Sequence, residues 1–254
     1  MSGAVRKIDA RALVRSLPVG SIDLLLTDPP YDTVDRHGGQ YLRRWFRGSL
    51  SWPQIGRILA MARRRMATDG RAMVLPNEAG LPAAQAAMRA AGFTRQRLVV
   101  WDKQQPGLGG GLRHQVEYIV IGLQAGSRTL AGRDLLSSPA VASRVPGRYP
   151  TEKPIELGRQ LAAIALVRRG DLVVDPFCGS GALLVGAAER GARVIGGDTS
   201  ARAVAISRRR LAAVSTPSSP ATARGRPSLE SRSRKAATAI RNSARAAQRR
   251  RSRP

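Results

Sequence analysis

The tetrapeptide Asp28-Pro29-Pro30-Tyr31 combines groups that could activate an aromatic amine. Such an amine is a poor nucleophile, because its lone pair is delocalised into the ring. A carboxylate that accepts one N–H and a backbone carbonyl that accepts the other would shift the nitrogen toward a nucleophilic geometry. Two prolines fix φ and remove competing N–H donors, and a tyrosine ring can stack on a base. The alternative is a strand-terminating turn without chemistry, and the tetrapeptide alone leaves both open.

A second candidate site is the loop Asp175-Pro176-Phe177-Cys178-Gly179-Ser180-Gly181. Its glycines let the backbone come close to a ligand. Asp198 follows about 20 residues later, where an acid can accept hydrogen bonds from ribose hydroxyls. The loop and Asp198 therefore predict a site for an adenosine-type cofactor. The alternative is that the glycines serve only helix–strand packing.

Cys178 is the single cysteine of the chain, which excludes an intrachain disulfide and favours a reducing, cytoplasmic setting. A cysteine in a strand-to-helix loop could be a nucleophile, but His37 and His114 are remote in sequence. We expect a small packing residue within the cofactor loop, and no metal site. The N-terminus lacks an apolar signal core, and no apolar stretch approaches the roughly 20 residues of a membrane span.

Alternating strands and helices are predicted to position these residues. Strands are expected at 21–27, 72–75, 97–101, 116–123, 172–174 and 193–197, and helices at 51–66, 81–91, 154–167, 182–190 and 200–214, with a turn at Asp69-Gly70. Asp28, Asp175 and Asp198 thus each follow a strand, and the carboxyl ends of parallel strands share one edge. The pattern indicates an α/β fold, a mostly parallel Rossmann-like sheet with helices on both faces.

The formal charge of +26 points to a polyanionic partner, with nucleic acid the first candidate. Residues 215–254 are rich in arginine and contain a single acid, Glu230. Such a segment is predicted to be a disordered tail, which binds DNA through its phosphates. Arg224-Gly225-Arg226-Pro227 also resembles an AT-hook core, which would lie in the minor groove.

Together, Asp28-Pro29-Pro30-Tyr31 and Phe177-Cys178-Gly179-Ser180-Gly181 resemble the two motifs of the DNA amino-methyltransferase family. Members make N6-methyladenine or N4-methylcytosine from S-adenosylmethionine. Their proline tetrapeptide is catalytic and their Phe-x-Gly-x-Gly motif binds the cofactor. The tetrapeptide comes first here, as in the permuted β-type members. The resemblance spans about residues 7–214 and implies a class I methyltransferase domain over residues 1–214.

Two further segments are similar to family motifs that hold the cofactor. Tyr149-Pro150-Thr151-Glu152-Lys153-Pro154 resembles the His-Pro-Thr-x-Lys-Pro segment, with Tyr149 in place of the histidine. The resemblance implies that Thr151, Lys153 and Pro154 help to bind the cofactor. Asp9 stands where relatives often have a Gly-Asp whose acid approaches the adenine, with Ile8 in place of the glycine.

The chain departs from the family between the two motifs, where members usually insert a sizeable target-recognition region. Residues 124–150 are few and lack periodicity, so we expect a loop or a very small insert, with Arg128, Arg133, Arg144 and Arg148 as its basic residues. Sequence specificity would be relaxed, or supplied by the loop at Gly109 or by the tail. The resemblance leaves open a homodimer, a cognate restriction endonuclease, and a nucleoid-associated or phage-encoded origin.

The resemblance implies methyl transfer to N6 of adenine in DNA after base flipping. Asp28 would polarise the amine, the Pro29 carbonyl would assist, and Tyr31 would stack on the base. Relatives with aspartate at the first motif position more often act on adenine. The alternatives are an N4-cytosine enzyme, a non-catalytic DNA-binding protein with a vestigial fold, and methylation of RNA or of a protein amide.

Overall fold

The computed structural model describes residues 4–31, 48–107, 111–141 and 149–215. The predictions for the tail beyond residue 215, for the loop at Gly109, and for Arg144 and Arg148 lie outside these ranges. In chain order the elements are β1 (Ala4–Lys7), α1 (Ala10–Arg15), β2 (Ile22–Thr27), α2 (Trp52–Arg63), β3 (Met66–Val74), α3 (Leu81–Ala90), β4 (Arg95–Asp102), β5 (Val116–Leu123), β6 (Leu135–Ser137), α4 (Ile155–Ile164), β7 (Leu172–Asp175), α5 (Ala182–Ala188), β8 (Arg193–Asp198) and α6 (Ala201–Ser215).

The strands of the described ranges form one sheet in the order β1-β8-β7-β2-β3-β5-β4-β6. Strand β5 runs antiparallel to β3 and β4, and the other neighbouring pairs are parallel. Leu24 and Leu26 of β2 pack toward helices α4, α5 and α6, whereas Leu25 packs toward α1, α2 and α3. The predicted mostly parallel sheet with helices on both faces is confirmed. Within these ranges no helix is long and apolar enough to cross a membrane.

The sequence analysis missed β1 and α1, which open the described chain. Strand β1 pairs with β8 at one edge of the sheet, and Val5 is its only buried residue. Helix α1 has six residues and begins at the N-cap Asp9. Both elements are too short to produce the hydrophobic periodicity by which longer elements are recognised.

The predicted turn at Asp69-Gly70 is wrong, because both residues lie inside β3. Ile22 pairs with Met66 and Leu24 pairs with Arg71, so residues 67–70 form a bulge on the β3 side. A Cβ atom at Gly70 would lie 2.8 Å from the Ile22 carbonyl oxygen, so the bulge requires a glycine there. The Asp-Gly pair therefore marks a distorted strand and not a chain reversal.

The prediction of a loop over residues 124–150 is also corrected, because β6 lies within this segment. It pairs in parallel with the end of β4, from Val100↔Leu135 to Asp102↔Ser137. Three residues are too few for a recognisable alternation. The segment therefore extends the sheet by an edge strand.

Arg128 was grouped with the basic residues of the recognition segment, but the structure places it at the amino-terminal edge of the sheet. Its Nη2 lies 3.0 Å from Asp23 Oδ1, its Nη1 lies 2.6 Å from Asp171 Oδ2, and its Nε contacts Asp69. Three carboxylates occupy the guanidinium, which leaves it no free donor fork for DNA. Arg128 is a structural clamp on the side opposite the candidate site.

Candidate active site

Three aspartates meet at the carboxyl-terminal edge of the sheet. Asp175 ends β7 and Asp198 ends β8, while Asp28 directly follows β2. These strands are neighbours in the order β8-β7-β2 and run in parallel. The two sequence motifs, distant along the chain, therefore face the same edge, where ligands bind in open α/β sheets.

Asp175 joins the two motifs directly. Its Oδ1 accepts a hydrogen bond of 2.6 Å from the Thr27 hydroxyl, next to Asp28, and one of 3.0 Å from the Phe177 N–H in the glycine loop. Burial raises the pKa of Asp175 to about 7, although these two hydrogen bonds act in the opposite direction. The carboxylates of Asp28 and Asp198 add to the rise.

The loop after Asp175 has a backbone that only glycine adopts easily at two positions. Gly179 has φ +49° and Gly181 has φ +77°. A Cβ atom at Gly179 would lie 2.9 Å from the Tyr149 hydroxyl, and one at Gly181 would clash with Ser207. Both glycines are thus required by conformation and by space, which supports a closely packed loop whatever it binds.

Asp198 is fixed by the glycine loop through its carboxylate. Its Oδ2 accepts from the Gly179 N–H at 3.0 Å, and its Oδ1 accepts from the Ser200 N–H at 2.7 Å. Burial raises the pKa of Asp198, and the backbone N–H groups oppose this rise. Each oxygen retains a further lone pair, so the oriented carboxylate fits the predicted acceptor of ribose hydroxyls.

Cys178 and Ser180 alternate with the loop glycines and are both buried. A Cβ atom at Gly196 would lie 2.9 Å from the Cys178 Sγ, so the thiol packs against β8. Burial raises the pKa of Cys178, which disfavours the thiolate that a nucleophile needs. The Ser180 carbonyl accepts from Arg210 at 3.3 Å. These contacts support packing roles within the loop.

The segment from Tyr149 to Pro154 crosses the glycine loop. Tyr149 is buried against Gly179, and burial together with the nearby carboxylate of Asp198 raises its pKa. Thr151 is exposed with φ +56°, and Pro154 is the N-cap of α4. The tyrosine that replaces the family histidine therefore covers the predicted cofactor loop.

Asp9 lies beside this edge, at the end of β1, but its side chain is already engaged. Its Oδ1 accepts hydrogen bonds of 2.9 Å from the Arg11 N–H and 3.3 Å from the Ala12 N–H. The aspartate therefore caps α1, and the proposed contact with an adenine would need its remaining acceptor positions.

The proline tetrapeptide presents one carbonyl and one ring in defined surroundings. The Pro30 carbonyl accepts from the Leu50 N–H at 2.7 Å, whereas none of the described residues donates to the Pro29 carbonyl. The Tyr31 ring stacks on Trp52, with centroids 5.6 Å apart and planes inclined by 17°. Trp52 was not predicted as a site residue, because its place as the first residue of helix α2 gave no signal.

Lys153 contacts Asp28, whereas the resemblance implied a contact with the cofactor. Its Nζ lies 2.6 Å from Asp28 Oδ2 and 3.6 Å from Glu117 Oε2, and Lys103 Nζ lies 3.3 Å from Glu117 Oε1. We call the four residues Lys103, Glu117, Lys153 and Asp28 the charge chain. The sequence analysis missed Glu117 and the role of Lys103, because the charge chain joins segments that are far apart in the sequence.

Burial raises the pKa of Asp28, and the Lys153 ammonium opposes this rise. Burial would lower the pKa of Lys153, but the carboxylates of Asp28 and Glu117 outweigh it and raise that pKa above its ordinary value. The ion pair thus favours the charged form of both partners. Among the described residues, no group of three or more His, Cys, Asp or Glu side chains is placed to hold a metal ion.

Comparison with known proteins places this edge in context. Residues 125–209 match the family model of the N6/N4 methyltransferases, described as DNA methylases. A protein of Escherichia coli K12 described as a putative methylase, YubD, is 28% identical over 81% of this chain and 88% of its own length. A tRNA (guanine(10)-N2)-dimethyltransferase of Methanothermobacter thermautotrophicus is 38% identical, but the match spans only 20% of that protein.

Solved structures share the fold. A protein of Thermus thermophilus described as a DNA modification methylase matches with a TM-score of 0.63 at 21% identity, over 85% of this chain and 97% of that one. Its complex with S-adenosyl-L-methionine matches with a TM-score of 0.58 at 21% identity, over 84% and 95%. The cytosine-N4-specific PvuII DNA methyltransferase matches with a TM-score of 0.63 at 15% identity, over 84% and 91%. With the family match over residues 125–209, the chain belongs to the N6/N4 DNA methylase family.

Proposed function

We propose that this chain transfers a methyl group from S-adenosylmethionine to the exocyclic amino group of a base in DNA, with N6 of adenine as the target. The observation that carries the proposal is the hydrogen bond from Thr27 to Asp175. It holds the candidate amine-activating residue, Asp28, beside the candidate cofactor loop at one edge of the sheet.

The residues around the glycine loop fit an adenosine-type cofactor. The close backbone at Gly179 and Gly181 leaves no room for side chains, and Asp198 is held with spare acceptor positions. Phe177 and Asp175 shape the entry to this loop. When bound, S-adenosylmethionine supplies an electrophilic methyl group and leaves as a neutral thioether.

The chain's own residues would prepare the target nitrogen. The Asp28 carboxylate accepts one N–H of the amine and the Pro29 carbonyl accepts the other, which frees the nitrogen lone pair for attack. The nitrogen gains a methyl group and loses one proton, for which Asp28 is the nearest acceptor. Tyr31, supported on one face by Trp52, offers its other face to the base. A base within a duplex must be flipped out to reach this site.

Adenine is proposed as the target because aspartate opens the tetrapeptide, a choice made on the resemblance alone. The cytosine-N4 specificity of the PvuII enzyme belongs to a protein of the same fold, so N4 of cytosine is the second candidate. A non-catalytic DNA-binding protein is disfavoured, because the carboxylate, the Pro29 carbonyl and the glycine loop are all in place.

Mass spectrometry of nucleosides tests the proposal. DNA incubated with the full chain and S-adenosylmethionine should gain N6-methyladenine, and Asp28→Ala should abolish the gain. Asp134→Ala, which removes an exposed carboxyl, is the matched control. N4-methylcytosine alone would replace adenine by cytosine as the target. The absence of both products from wild-type reactions would refute the proposed activity.

A further inference from the structure

We infer that Lys153 is a positioning residue for Asp28, which it holds ionised through Oδ2 while Oδ1 stays available to the target amine. This role rests on the proposed function. It differs from the cofactor contact that the sequence motif around Lys153 implies.

The geometry of the pair carries the inference. Lys153 Nζ donates to Asp28 Oδ2 at 2.6 Å, and no described residue donates to Asp28 Oδ1. The Lys153 side chain is 13% exposed and that of Asp28 is 24% exposed, so water screens the pair only in part. A charge-assisted hydrogen bond of this length fixes the carboxylate plane as well as its charge.

Glu117 holds Lys153 from its other side, because its Oε2 lies 3.6 Å from the same Nζ. Its Oε1 is in turn bound by Lys103 at 3.3 Å. The ammonium of Lys153 therefore lies between two carboxylates and has few alternative positions. Asp28 is the closer of these two carboxylates, at 2.6 Å against 3.6 Å for Glu117.

An ionised carboxylate is what the proposed chemistry needs, since a protonated one would donate to the amine instead of accepting from it. Burial pushes Asp28 toward the protonated form, and Lys153 counteracts this. The other ionisable groups that act on or near Asp28 would not help, since none of them is a cation: these are Glu117 on β5, Tyr31 in the same loop, Asp175 on β7, and Tyr149. Within the described residues, Lys153 is therefore the cation that offsets burial of Asp28.

The test measures the pKa of Asp28 by NMR of the full chain labelled with ¹³C at aspartate Cγ, with Asp28→Asn to assign the signal. Lys153→Met should raise the pKa of Asp28 by about one to three units. Lys153→Arg keeps the charge and should leave it near the wild-type value. Lys7→Met, which removes an exposed lysine from β1, is the matched control and should change nothing.

Glu117→Gln gives a prediction of opposite sign and remains decisive if Lys153→Met does not fold. It removes a carboxylate that competes for Lys153, so the pKa of Asp28 should fall. A pKa of Asp28 that stays unchanged in the variants that fold would overturn the inference.

Two further measurements separate the inference from the proposed function. The acid limb of the methyl-transfer rate should move to higher pH in Lys153→Met, in step with the NMR titration, while calorimetric affinity for S-adenosylmethionine stays within about twofold. A loss of that affinity by about tenfold with an unmoved Asp28 pKa would return Lys153 to the cofactor and refute our assignment. Wild-type protein that methylates no DNA would refute the function, and the NMR titration would still decide the role of Lys153.

Discussion

The raised pKa of Asp175 predicts a stability that depends on pH. The carboxyl is 2% exposed, and burial raises its pKa from 3.8 to about 7. The folded protein therefore binds this proton more tightly than the unfolded chain does. The resulting stabilisation is fully present below pH 3.8 and is lost as the pH rises through about 7.

The size of the effect follows from the two pKa values. With 3.8 in the unfolded chain and about 7 in the folded protein, the contribution of Asp175 to the free energy of unfolding falls by about 3 kcal/mol between about pH 5 and about pH 8. Asp175→Asn removes the titration and keeps an oxygen that can accept from Thr27 and Phe177. Relative to wild type, this variant should become more stable by that amount over the same pH range.

Urea denaturation of both proteins at several pH values measures this difference, in which the other titrating groups cancel. Asp134→Asn removes an exposed carboxyl and reports the effect of the changed net charge alone. A difference between wild type and Asp175→Asn that stays constant with pH would show that Asp175 titrates normally, and the argument from burial would fail.

Two further predictions concern residues that support the sheet and the site. Arg128→Met should lower the free energy of unfolding by about 3 kcal/mol, because three carboxylates lose their shared cation; denaturation in urea measures it, and an unchanged midpoint would contradict the clamp. Trp52→Leu should reduce methyl transfer about tenfold through the lost stacking on Tyr31, whereas Trp52→Phe should largely retain it. Equal rates for both Trp52 variants, measured at matched folded fraction, would remove that support from the proposal.

The central strands and their aspartates could be predicted from the sequence because burial on both faces leaves an unbroken apolar pattern. Strands β2 and β7 are short hydrophobic runs that end at chemistry-bearing residues, and their parallel order follows from the helices between them. The common edge of Asp28, Asp175 and Asp198 was therefore accessible from pattern alone.

Edge elements and long-range contacts could not be predicted in the same way. Strands β1 and β6 have four and three residues, and their pairing depends on β8 and β4 being formed first. The bulge in β3 uses the same Asp-Gly pair that a turn would use. Glu117 lies on an ordinary strand, and its meeting with Lys153 is a property of the assembled sheet.

The charge chain also separates two length scales in this protein. Its two lysines and two carboxylates balance, although the whole chain carries +26. Dissolved ions screen exposed charges beyond about 8 Å at physiological ionic strength, but they act weakly between partly buried atoms in contact. The strongly positive exterior can therefore vary in its hold on a polyanion as salt changes, while the local field at Asp28 stays set by its immediate neighbours.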